Sequence, residues 1–282
     1  MRKVLLSFIL VSLAVALTGC FESKPQEEKF SGTGLSVALS LPKEAMQSSP
    51  INILAKVKNM ANENATGVYA YLTGLDGWNV NQPLQSLNSL QAKDSYTFSW
   101  IAYAPAVNRT YKPKVELFYR MNTDARLVVR IYNNDYLETL EQSERDAVKS
   151  KSAVLEFTGS AGVPINISTS ILQPFVIASD WQDFSFILDI KNLGGGTPYH
   201  PSSNYQLLSP VTANQTTFTA TANYTLACEI GTGNIISLAT SRSIVCRIPA
   251  KKADIGNYMD VVVDIRLDYA YLYSINSTLV VK

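Results

Sequence analysis

Apolar positions recur every second residue through most of this chain, in short runs set apart by Gly, Pro, Asn and Ser. Leu35/Val37/Leu39, Ile51/Ile53/Ala55/Val57, Tyr69/Tyr71, Tyr96/Phe98/Trp100, Val115/Leu117/Tyr119 and Leu127/Val129/Ile131 each alternate with other residues. A strand turns successive side chains to opposite faces, so each run predicts a strand with one buried face. About seven such runs within roughly 100 residues predict a two-sheet sandwich. One segment departs from this period. "NDYLETLEQSERDAVKSK" lacks alternation but places Leu137, Leu140, Ala147 and Val148 near helical spacing. Asp135, with Glu138 three residues on, would cap its start, which predicts a short helix within 135–150; a charged surface loop is the alternative.

After "TGSAGVP", where Pro164 blocks continuation, the β pattern begins again. "ILAKVKNM" (Ile53 to Met60) matches "FILDIKNL" (Phe186 to Leu193) position by position, 133 residues apart. Ile53, Ala55 and Val57 correspond to Phe186, Leu188 and Ile190, and each strand ends in Lys-Asn and an Asn- or Gly-rich loop. Matching strand order around the two segments predicts two copies of one β module. The expected fold class is therefore all-β: tandem sandwiches over 35–160 and 161–282, separable near Gly162 to Val163.

The N-terminus carries a different signal. Arg2 and Lys3 precede an almost unbroken apolar run from Val4 to Leu17, followed by Thr18, Gly19 and Cys20. Fourteen helical residues rise about 21 Å, short of a hydrocarbon core of about 30 Å. Residues 1–19 thus predict a cleaved signal peptide. Leu-Thr-Gly-Cys20 resembles the lipobox of bacterial and archaeal lipoproteins. That resemblance implies a two-chain lipid on the Cys20 thiol and an anchor on the extracytoplasmic face of the membrane. "FESKPQEEKFSGTG", charged and with little to bury, predicts a flexible tether over 20–34.

Charge narrows the partners. Without residues 1–19 the chain holds 22 basic and 23 acidic residues, so no electrostatic footprint for nucleic acid is present. Cys228 and Cys246 remain after Cys20. In "YTLACEI" and "SIVCRIP" both fall on the apolar face of their strands, which in an oxidising compartment predicts a disulfide between neighbours. Two reduced thiols or a metal site are the alternatives; a metal would need further ligands, and the chain has one histidine and no Cys-x-x-Cys.

The strand ending Lys-Asn-Leu-Gly-Gly-Gly, preceded by "GVPINISTSILQPF" and closed by an aromatic-rich terminal strand, resembles the Ig-like modules of archaeal surface proteins, akin to CARDB-type adhesion-related domains. The resemblance spans Leu35 to Lys282 at module level, and implies a structural or binding ectodomain with no catalytic residue. The charged segment after Ile131, and cysteines in the second copy alone, depart from such modules. Asn64, Asn108, Asn166, Asn214, Asn223 and Asn276 each begin Asn-x-Ser/Thr, candidate glycosylation sites that fit an archaeal surface.

Candidate chemistry is sparse. His200 lies in a loop, and no Gly-x-Ser-x-Gly surrounds any serine. Gly194 to Gly196 fit a strand-ending turn better than a phosphate loop. Asp76 near Trp78, and Asp180 and Asp183 around Trp181, are candidates for flanking a sugar or calcium, with core tryptophan as the alternative. Leu267, Tyr269, Tyr271 and Tyr273 share a face that reads as core, module interface or partner patch. The expectation is a lipid-anchored, non-enzymatic envelope protein without cofactor or metal, acting in structure, adhesion or interaction with envelope proteins or glycans. A glycan- or solute-binding lipoprotein is the alternative, and an envelope hydrolase a remoter one.

Overall fold

The computed structural model describes residues 32–171 and 173–282. Cys20, the signal and most of the tether lie outside them. The first half lays down β1 (Leu35–Ser40), β2 (Glu44–Ala45), β3 (Pro50–Asn59), β4 (Ala65–Thr73), β5 (Asn79–Val80), β6 (Leu84–Leu90), β7 (Ser95–Tyr103), β8 (Arg109–Tyr111) and β9 (Lys114–Asn133). Helices α1 (Asn134–Thr139) and α2 (Gln142–Lys149) and strand β10 (Val154–Gly159) follow. The second half adds β11 (Ile165–Thr169), β12 (Phe175–Ile177), β13 (Trp181–Asn192), β14 (Thr197–Tyr199) and β15 (Gln215–Ala222). It ends with β16 (Ala227–Cys228), β17 (Ile235–Ser237), β18 (Ser241–Lys251), β19 (Tyr258–Asn276) and β20 (Leu279–Val281). The protein is all-β, built as sandwiches.

The two halves repeat one wiring. The outer sheets run β1-β3-β7-β5 and β11-β13-β18-β16, and the inner strands run β6-β4-β9 and β17-β15-β19. The Lys-Asn strands β3 and β13 occupy the same place. Leu35 pairs with Asn59 and Ile165 with Asn192, while Lys58 faces Ser95 and Lys191 faces Ser241. Each asparagine also ties down the loop that follows. Asn59 Nδ2 donates to the carbonyl of Glu63 (2.8 Å) and Asn192 Nδ2 to that of Gly196 (2.9 Å). Their Oδ1 atoms accept from the amides of Ala61 and Gly194.

The expectation of separable sandwiches gives way at the centre. β9 and β19 pair antiparallel over nineteen residues, from Lys114↔Asn276 to Tyr132↔Tyr258. All inner strands therefore belong to one nine-stranded sheet. The odd-numbered side chains of both long strands, from Val115 to Ile131 and Val261 to Tyr271, are buried on one face. Both outer sheets consequently lie side by side on that same face. Tyr119 and Tyr271 stand opposite each other there, ring centroids 5.7 Å apart. Tyr119 OH accepts from the amide of Leu35, and Tyr271 OH donates to Asn192 Oδ1 (2.6 Å). Burial pushes both phenols, and that of Tyr269, above the ordinary tyrosine range, Tyr271 to about 12.

The joint between halves is packed rather than free. Gly162 accepts a hydrogen bond from Gly34 N (2.7 Å), and Ala161 from Asn62 N (3.0 Å). At Gly162 φ is +72°, and a Cβ would stand 2.2 Å from the carbonyl oxygen of Met60, so only glycine fits. The halves also exchange strands: β20 pairs with β2 and β8, and β12 with β9. The predicted helix forms as two short ones. Asn133, not Asp135, caps α1, its side chain accepting from Asp135 N because the turn starts two residues earlier. Leu137 alone of that segment is buried, while Glu141 and Glu144 form a capping box on an exposed α2.

Two outcomes test this construction. Asn59→Ala and Asn192→Ala each leave backbone carbonyls without their donor, and at buried Asn59 this costs about 3 kcal/mol; Asn192, more exposed, costs less. Urea unfolding should register both as shifts of one shared transition. In base, phenols with raised folded pKa hold stability that is complete below the unfolded value of about 10. That stability drains as pH rises towards 12, so stopped-flow tyrosinate absorbance should show Tyr271 ionising together with loss of structure.

Candidate functional site

Opposite the core, the even-numbered side chains of β9 and β19 lie on the outer face, open to solvent except where Phe118 and Ala270 are covered. Four strands stand in register there. Thr158, Arg126, Asp264 and Thr221 form one transverse row; Asp124, Arg266 and Thr219 form the next, extended by Ser160. Ser160 N donates to the carbonyl of Asp124, and Ser160 Oγ accepts from Asp124 N (3.1 Å) while donating to Glu63 Oε1 (2.9 Å). The rows line an open groove of about 710 Å³, walled by Asn62 and Glu63 on one side and by Thr219 and Thr221 on the other.

The floor of this groove is a crossed pair of Asp-x-Arg triplets. Asp124-Ala-Arg126 and Asp264-Ile-Arg266 lie 140 residues apart and run antiparallel about the Ala125↔Ile265 pair. Each arginine thereby faces the other strand's aspartate. Arg126 binds Asp264 with both forks, Nε–Oδ1 2.7 Å and Nη2–Oδ2 3.2 Å. Its mate is looser: Arg266 Nη1 is 3.8 Å from Asp124 Oδ1, and its Nε turns to Asp268 Oδ1 at 3.0 Å. The Arg126 hydrogen bond holds the Asp264 carboxyl below the usual carboxylate range, and Asp268 raises the Arg266 guanidinium. Roughly half of each of these side chains is open to water, so screening leaves them little role in stability. Farther along, Arg130 binds Asp260 (2.6 Å) and lies 4.0 Å over the Tyr258 ring.

The other end of the same face is closed by the loop between β14 and β15. Arg120 donates to the carbonyls of Pro201 and Ser203, both at 2.9 Å. Tyr205 packs on Tyr69, Tyr71 and Phe118 and donates to Glu116 Oε2. This strap buries Phe118 but leaves Leu207 and Val211 79% and 78% exposed. His200 belongs to the strap, its Nδ1 2.7 Å from Ser202 Oγ.

The sequence candidates are scattered. Cys228 and Cys246 are joined, directly opposite on β16 and β18 with Cα atoms 4.0 Å apart. Trp78 is buried edge-on to Tyr111, and Asp76 sits in its exposed turn. Trp181 is 54% exposed between exposed Asp180 and Asp183 on the outer sheet, away from the groove. Among the described residues no cluster of His, Cys, Asp and Glu has the arrangement of a metal site. Gly194 to Gly196 form the turn after β13, Gly196 N donating to Tyr271 OH. Tyr269 and Tyr271 are core at the seam, with Tyr273 half-buried beside them. Asn64, Asn108, Asn223 and Asn276 are exposed, and Asn166 and Asn214 half-buried. Asn223 Nδ2 is engaged with the carbonyl of Asp260. The groove gathers none of the candidate site residues that the sequence singles out; its one local mark is the repeated Asp-x-Arg.

No protein-family model matches the chain, and no curated protein matches it. Among solved structures it is similar to the secreted serine protease VesC from Vibrio cholerae, at 8% identity and TM-score 0.25, over 87% of this chain and 51% of that one. Red sea bream transglutaminase (8%, TM-score 0.21, 87% and 31%) and an Escherichia coli alpha-2-macroglobulin activated by porcine elastase (8%, TM-score 0.21, 89% and 33%) also align. The chain spans between about a third and a half of these proteins, and likenesses this remote carry no argument about its role.

The Arg126–Asp264 fork has a measurable signature. A carboxyl with depressed folded pKa adds stability above the unfolded value of about 3.9 and loses it as pH falls through the folded value. Carboxyl-carbon NMR should find Asp264 titrating below 3.9, and Arg126→Met should move it up towards that value.

Proposed function

We propose that this protein is a lipid-anchored surface protein whose paired sandwiches serve as a structural or interaction ectodomain of the cell envelope. The observation that carries the reading is the apolar run that ends in Leu-Thr-Gly-Cys20. The first strand begins at Leu35, and the intervening chain, fully extended, reaches at most about 50 Å. The ectodomain would stand close to the bilayer surface, held by Cys20. A cross-strand disulfide on an outer sheet suits an oxidising, exported setting. The exposed asparagines of the sequons are the candidate glycan carriers, and none of Asn64, Asn108 and Asn276 lines the groove.

A second reading, a binding lipoprotein for glycans or small solutes, is favoured by one feature: the polar groove across the seam. It is compatible with the first, since one anchored ectodomain can carry both roles.

The anchor is tested by Cys20→Ser. The variant should leave the membrane fraction or accumulate with its signal uncleaved. Membrane retention at the size of the processed wild-type protein would overturn the lipid assignment.

A further inference from the structure

The groove over the crossed Asp-x-Arg triplets has a chemistry that selects its ligand. Two guanidinium groups and two carboxylates alternate across it, each charge beside an opposite one, with Glu63 at the rim. Such a floor offers no surplus positive field to hold a phosphate or an acidic polymer. No aliphatic patch marks it for an apolar ligand, since Ala125 and Ile265 turn their side chains to the core and the apolar surface that remains belongs to the stems and methyls of polar side chains. An extended peptide is disfavoured for another reason. Peptides add to sheets through free backbone at an edge, whereas β9 and β19 are here flanked by β10 and β15.

What fits is a group that donates and accepts at once. A hydroxyl does both, so adjacent hydroxyls satisfy an arginine fork and a carboxylate together. Thr158, Ser160, Thr219 and Thr221 add hydroxyls along both walls. The volume of about 710 Å³ lies within the range of ligand clefts. The pseudo-twofold about Ala125↔Ile265 supplies the same Asp/Arg pair twice, which matches a chain of repeating units. We propose that this groove binds a neutral polyhydroxylated chain, a glycan segment of the envelope, with Arg266 as the residue that turns from Asp268 and Asp124 to the ligand. The proposal rests on the surface reading above and names the binding face that reading lacks.

The test uses the full chain purified in detergent, with mannan and dextran as neutral probes and polygalacturonate as the anionic one, read by affinity electrophoresis and calorimetry. Wild type should retard on a neutral polysaccharide, saturably and with little salt dependence. Arg266→Ala and Thr221→Val should weaken binding at least tenfold with unchanged thermal unfolding, while Trp181→Ala should leave it intact. Binding to polygalacturonate alone, or to none of the three, would overturn the proposal. So would neutral-glycan binding that Trp181→Ala abolishes and Arg266→Ala does not touch. Membrane fractionation of Cys20→Ser reads the anchor separately, so failure of the groove and failure of the anchor are told apart.

Discussion

The pairing of β9 with β19 is the interaction on which the remaining architecture depends. Nineteen residue pairs weld two sandwiches into one sheet, and their alternating side chains decide what lies on each side. On the odd face, Val, Leu, Ile and Tyr roof both outer sheets. On the even face, the same two strands carry Arg and Asp into solvent. A one-residue slip would exchange these faces along the whole seam, burying five or more charges and exposing the core. The register is therefore fixed by what each face can tolerate: apolar side chains gain from burial below, and the charges above cannot be buried without a large cost.

The repeated wiring gives this seam its symmetry. Asn59 and Asn192 close equivalent strands by equivalent bonds, and the Asp-x-Arg triplets meet across the axis. The copies differ where the loop after the Lys-Asn strand has grown. In the first it is a short turn through Met60 to Asn64; in the second it carries β14 and two 3-10 turns. The added chain crosses onto the first copy, where Arg120, Glu116 and Phe118 receive it. On the open face the symmetry is thus broken, which leaves one half of that face covered and the other as a groove.

Much of the fold was legible because strands with one wet face alternate, and β3, β7, β9 and β13 alternate clearly. The repeat was legible because Asn at a strand end has a specific bonding task. Inference failed where burial came from a distant segment. Tyr69 and Tyr71 read as the core face of β4, yet Val68, Ala70 and Leu72 fill the core, and the tyrosines lie under Tyr205. The shared sheet was invisible for the same reason: which strand edges meet is a tertiary fact, and β9 reads alike whether its edge is open or paired. Of the groove, only the triplets are written locally; their apposition depends on the register of strands 138 residues apart in the Arg126–Asp264 contact.

That separation has a consequence for how the chain acquires its shape. Until β19 is available, β9 presents a long, partly apolar strand with an unsatisfied edge, the kind of surface that pairs with whatever strand is nearest. Contacts this distant in sequence form slowly, because the intervening chain must be closed into a loop before they return any energy. The first half can reach its final partners only after the last long strand has emerged. Folding is then a race between completion of the seam and association with a neighbouring chain, one that favours keeping the first half apart from other strands until the last long strand is available.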